Sequence, residues 1–146
     1  MHSAGREEGV QMSGSTSRNK GKRGELELAN LIADLSGWDV RRKVRQHDGD
    51  QDLEGIPGWA PEVKRHKSAG RGLKAAWWAQ AIAQATSLLP VLFYRTDRDE
   101  WRAVYPAATL LQIQHADMWS DYKWTIESSV ECWVTAAREV NFLKGL

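Results

Sequence analysis

The chain has 146 residues, 42% of them hydrophobic, and a formal net charge of +1. That length suits one domain with enough apolar side chain for a packed core, and its single cysteine, Cys132, excludes an internal disulfide and a cysteine-based zinc site. No apolar run is as long as a membrane span, and the amino-terminal residues lack the apolar centre of a secretory leader, which predicts a cytoplasmic protein with no membrane partner.

Charge is unevenly distributed. Residues 18–74 hold 13 Lys and Arg against nine acids, whereas residues 75–146 hold six against eight. A basic first half suggests a surface facing a polyanion, with solvated surface charge as the alternative.

Residues 1–17, rich in Gly, Ser and Glu, are expected to form a disordered tail. Residues 18–146 read as a single domain, with 119–146 as a C-terminal extension. Arg18, Lys20, Lys22 and Arg23 approach a first helix and are expected to meet phosphates. That helix should run from Lys20 to Ser36 and stop at Gly37. Leu28, Leu31, Ile32 and Leu35 form its apolar stripe, and Glu25 lies at the stripe's edge, where a carboxylate needs a partner. Trp38–Arg45 reads as the first strand: Trp38, Val40 and Val44 alternate with Asp39, Arg41, Lys43 and Arg45. Arg42 breaks the apolar side.

The acid-rich run 46–52 is not a calcium loop, because Leu53 stands where glycine is required and Trp59 where the closing Glu belongs. Asp52 begins a second strand with Leu53 and Ile56 packing; Asp50 is a second candidate ligand and Asp48 a turn former. Gly55–Ala60 is a tight connection to a third strand, Pro61–His66. In a strand Glu62 and Lys64 share one face while Val63 takes the other. With Asp52 on the neighbouring strand they form a compact charged cluster whose oxygen donors suit magnesium. Lys64 could orient water or offset charge on a phosphate. A surface ion pair is the plainer reading; against it, Trp59 and Val63 suggest a central strand.

Lys67, Arg71 and Lys74 lie in an expected basic loop. A second helix follows from about Leu73 to Leu88, with Trp77, Gln80, Ala81 and Gln84 on one face. Pro90–Arg95 and Trp101–Tyr105 read as a hairpin around a polar turn, and Pro106 opens a helix to about Gln114. Tyr122–Glu127 and Glu131–Val134 are candidate strands, with Thr135 capping a last helix, Ala136–Lys144. Trp119, Trp124 and Trp133 complete the core or form a dimer surface. The fold class is α/β, a mixed β-sheet flanked by helices.

Several stretches carry a resemblance: Lys20-Gly21-Lys22-Arg23-Gly24-Glu25, Asp52 followed by Glu62-x-Lys64, Trp77-x-x-Gln80-Ala81, and Pro90–Arg95 followed by Trp101. Together, across Arg18–Tyr105, they resemble the PD-(D/E)xK nuclease superfamily and its archaeal and phage Holliday junction resolvases. The resemblance implies a restriction-endonuclease-like core and a metal-dependent endodeoxyribonuclease that resolves four-way junctions in recombination and repair. It implies Asp52 and Glu62 as metal ligands with Glu25 completing the acidic cluster, Lys64 as the catalytic ammonium, and Gln80 close to the reacting phosphate. It implies magnesium, with manganese as a substitute, and no small-molecule cofactor. Its implied partners are branched DNA and a second copy of the chain. DNA contacts are expected from Arg18, Lys20, Lys22, Arg23, Arg41, Lys43, Arg45, Arg65, Lys67, Arg71 and Lys74. Two alternatives are the same chemistry on flaps, single strands or duplex, and a DNA-binding module without catalysis.

Overall fold

The structure, a computed structural model, describes residues 20–44, 52–111 and 117–146. Helix α1 spans residues 20–36. It ends where Ser36 Oγ donates to Ile32 O and Gly37 takes a left-handed φ of +80°, as its sequence predicts. Leu28, Ala29 and Ile32 are its buried face.

The expected strand over 38–45 shrinks to β1, Arg41–Arg42. Its partner β2 is equally short, Leu53–Glu54, so the antiparallel ladder holds only the pairs Arg41↔Glu54 and Arg42↔Leu53. Val44, expected on the apolar side, is 68% exposed. Gly55 is required beside this ladder: its φ is +95°, and a Cβ there would lie 2.0 Å from Asp39 O.

The main sheet has four strands in the order β3-β4-β5-β6. Strands β3 (Trp59–Arg65) and β4 (Leu89–Arg95) run parallel and are joined by helix α2 (Arg71–Ala85), a βαβ unit. The predicted hairpin forms between β4 and β5 (Arg102–Pro106). Arg71 and Lys74 therefore lie in the first turn of α2 rather than in a loop, and the helix stops three residues short of Leu88, where Thr86 adopts a positive φ. Pro106 ends β5 instead of opening a helix; α3 is Ala107–Leu111, and the expected extension to Gln114 lies outside the described residues.

The last segment differs most from expectation. After α4 (Asp117–Ser120) and a 3-10 turn (Tyr122–Trp124), β6 is Thr125–Ser129, and α5 is Val130–Lys144. Glu131–Val134 is helical, and the cap is Ser129, whose side chain accepts from Cys132 N, not Thr135. Buried Trp133, Val134, Ala137, Val140 and Asn141 explain why: their spacing is one helical face.

Alternation divides the sheet. Trp59, Val63, Val91, Phe93, Ala103 and Tyr105 join one core with α1 and α5 residues. Leu92, Tyr94 and Val104 join a smaller core with Trp77, Trp78 and Ala81 of α2. Trp133 is fully buried in the first core and packs edge-on against Phe93, Trp59 and Trp38, with centroids 4.8, 5.5 and 6.3 Å away. Trp124 is 41% exposed instead. Among the described residues no helix is long and apolar enough to cross a membrane.

Candidate active site

Strand β3 lies at the edge of the four-stranded sheet, not at its centre as expected. Its outer margin is where Asp52 binds. Val63 N donates to Asp52 Oδ2 at 2.7 Å, while His66 N donates inward to Arg95 O. Alternate amides of β3 thus face opposite sides, and Pro61 falls on the same outward parity as Val63. A proline there forfeits no ladder bond. The Asp52 side chain occupies the position that a further strand would otherwise take, and it is buried, with 2% of its surface exposed.

Glu62 and Lys64 share a face, as their spacing predicts. Lys64 Nζ lies 3.2 Å from Glu62 Oε1, and Glu62 is 5% exposed. Their strand partners are Leu92 and Tyr94, so the pair sits on the α2 side of the sheet. A buried carboxylate requires compensation, and the Lys64 ammonium supplies part of it.

Glu25 is also buried, and Arg42 Nε donates to its Oε2 at 2.9 Å. The break that Arg42 made in the apolar alternation of residues 38–44 therefore has a cause. Arg42 turns inward to meet the α1 acid, and it is opposite Leu53, the neighbour of Asp52. Lys43 N in turn donates to Asp52 O at 3.0 Å. Gly24 allows α1 to approach β3 closely: a Cβ there would be 3.1 Å from Arg65 Cβ. Helix α1 is thereby tied to β1 through Glu25, and the β1–β2 ladder to edge strand β3 through Asp52.

Among the described residues, no three His, Cys, Asp or Glu side chains stand close enough to hold a metal ion between them. Magnesium is usually held by one or two carboxylates, with waters and substrate phosphates completing the octahedron. The buried Asp52 and Glu62 fit that donor set. Asp48 and Asp50, the other acids of this stretch, lie outside the described residues.

The remaining predicted residues divide into groups. Gln80 is exposed on α2, and Gln84 is the glutamine nearer the buried side of that helix. Lys22, Arg23, Lys67 and Arg71 are exposed. Lys20 and Arg65 both engage Asp97, and Arg41 engages Asp39, which raises its pKa. Lys74 lies 4.9 Å above the Tyr94 ring and 3.7 Å from Glu127 Oε1. Arg18 and Arg45 lie outside the described residues. Sequence reading missed Tyr94, whose hydroxyl donates to Glu127 at 2.6 Å. Burial, then that bond, pushes the phenol pKa up. It also missed Glu27, which accepts from Trp101 Nε1 at 2.7 Å and from Arg95.

Asp52 and Glu62 are buried at the edge strand β3, with Lys64 against Glu62. The profile of a family described as "Phage putative PDDEXK endonuclease" matches residues 16–142. The chain belongs to this PD-(D/E)xK endonuclease family. No curated protein and no solved structure matches it. The mixed sheet flanked by helices is consistent with the restriction-endonuclease-like fold of PD-(D/E)xK nucleases, and membership makes the chain one of a family of nucleases.

Proposed function

We propose that the protein is a magnesium-dependent DNA endonuclease of one nuclease domain, residues 18–146, that cuts branched DNA, above all the four-way junction. The observation that carries the nuclease reading is two buried carboxylates at edge strand β3, Asp52 on the Val63 amide and Glu62 with Lys64 against it. The preference for branched DNA is supported by the sequence resemblance to junction resolvases and by the basic first half of the chain.

Asp52 and Glu62 would hold the cation, with manganese as a substitute for magnesium. When bound, a divalent ion supplies Lewis acidity toward a phosphate oxygen and lowers the pKa of water. Asp52 is fixed for this role by the Val63 amide. Lys64, anchored 3.2 Å from Glu62, orients the attacking water and offsets the charge that develops on the phosphate. Glu25, held by Arg42, would complete the acidic cluster, and Gln80 of α2 would orient water or phosphate. Lys22, Arg23, Lys43, Lys67 and Arg71 give the approach its positive potential.

A four-way junction has two-fold symmetry, which a C2 pair of chains would match with one active site on each cut strand. Cleavage of an end-labelled junction, beside its linear arms and single strands, tests the proposal. Paired symmetric nicks on the junction alone, in magnesium, are expected. Equal cutting of linear duplex would remove the branch preference and leave the nuclease. Binding without cleavage in either metal would remove the nuclease.

A further inference from the structure

One carboxylate on this surface is positioned like a ligand. Asp97, in the turn between β4 and β5, receives Lys20 Nζ at 2.8 Å and Arg65 Nη1 at 2.9 Å on the same oxygen, Oδ1. The two cations come from separate elements, the first turn of α1 and the end of β3. Gly24 brings these elements into contact. Arg65 follows Lys64 directly in β3 but points to the opposite face, against Gly24 of α1, so the cation pair lies at the same end of the edge strand as Lys64 and on its α1 side. Arg65 is further fixed by donating to His66 O at 2.8 Å.

We propose that Asp97 is an internal stand-in for a DNA phosphate: Lys20 and Arg65 form a phosphate site at the end of the edge strand that carries Lys64, on its α1 side, and the incoming backbone displaces the Asp97 carboxylate from it. This rests on the DNA endonuclease reading and adds to it a specific contact and the group that competes for it. Arginine with lysine around one oxyanion is a common phosphate-binding arrangement, because both charge-assisted bonds form equally well to a phosphate oxygen.

Displacement is mechanically simple. The Asp97 side chain is 41% exposed and the Lys20 side chain 36%, so the carboxylate can rotate into water, while the Arg65 side chain is 14% exposed and presents only the edge of its guanidinium. The turn itself stays, since Asp97 N donates to Lys67 O at 3.1 Å. Hydrogen bonds from Lys20 and then Arg65 hold the Asp97 carboxyl below the usual range, so it competes as an anion at neutral pH. Phosphates arrive with a high local charge density and release counterions on binding, which favours them over one exposed carboxylate.

Asp99 supplies an internal control. It lies two residues away in the same turn, and its pKa is likewise lowered, first by the Glu100 amide and then by Arg102. Its side chain reaches Arg102, not Lys20 or Arg65. D97N and D99N remove the same charge from nearly the same place. Fluorescence anisotropy with a labelled four-way junction, in calcium instead of magnesium, should show D97N binding about fivefold or more tightly than wild type. D99N should change affinity less than about twofold, through screened long-range charge alone. Adding Lys20→Ala to D97N should erase the gain, and Lys20→Ala alone should weaken binding. Equal effects of D97N and D99N, with wild type binding DNA, would overturn the Asp97 assignment alone. No binding by any of the proteins, all folded by circular dichroism, would overturn the DNA reading with it.

Discussion

The two faces of the sheet are built from alternate residues of the same strands, yet they differ in kind. The face toward α1 and α5 is aromatic and dry: Trp59, Phe93 and Trp133 interlock there, and the sheet residues beside them are apolar. The face toward α2 has a smaller core, and charged groups are set among it: Glu62 and Lys64 on β3, and Lys74 and Glu127 around Tyr94. One strand, β3, contributes Trp59 and Val63 to the first and Glu62 and Lys64 to the second. The larger core lies on one side, while buried charge lies on both: Glu62 with Lys64 toward α2, and Glu25 with Arg42 beside α1. Period-two alternation lets seven residues serve both faces.

Substitutions should separate the two faces. Lys64→Ala should lower cleavage by roughly a hundred- to a thousandfold while costing only about 1–3 kcal/mol of stability from the less compensated Glu62; single-turnover assays beside equilibrium denaturation read both. Trp133→Ala should do the reverse. It removes a fully buried aromatic and should lower unfolding free energy by about 3–5 kcal/mol, with cleavage per folded molecule preserved well below the melting temperature. If Trp133→Ala abolished cleavage while still folded, the division of labour would be wrong. Arg42→Ala sits where the faces meet. Removal of the Glu25 partner should destabilise by about 1–3 kcal/mol and slow cleavage about tenfold; Arg42→Lys should restore stability in part. The smallest effect is expected from Tyr94→Phe, which deletes the bond to Glu127 at about 1 kcal/mol, readable as a shift in denaturation midpoint with cleavage retained.

The extents of α1, the β4–β5 hairpin and the shared face of Glu62 and Lys64 were legible because each depends on local period and capping. Strand β1 was not, since pattern alone cannot show that its partner β2 stops after Glu54. Nor was the edge position of β3. Trp59 and Val63 are as apolar as residues of a central strand, because they pack on α1 and α5 rather than between strands. The start of α5 was misread because Glu131–Val134 suits a strand until Ala137 and Val140 extend its helical face. At the site, the anomaly at Arg42 was visible but its partner was not: the Glu25 contact spans 17 residues. The Asp97 node joins residues 77 apart to Lys20 and could be found only in three dimensions.

The central claim is that Asp52 and Glu62, on the edge of β3, form the metal-dependent cutting site. The direct measurement is cleavage of end-labelled DNA by wild type, Asp52→Asn and Glu62→Gln, with magnesium and with chelator, each protein verified as folded by circular dichroism. Wild type should cut only with magnesium, and both variants should lose at least about a hundredfold with native stability retained. Cleavage by folded Asp52→Asn and Glu62→Gln at the wild-type rate would contradict the claim.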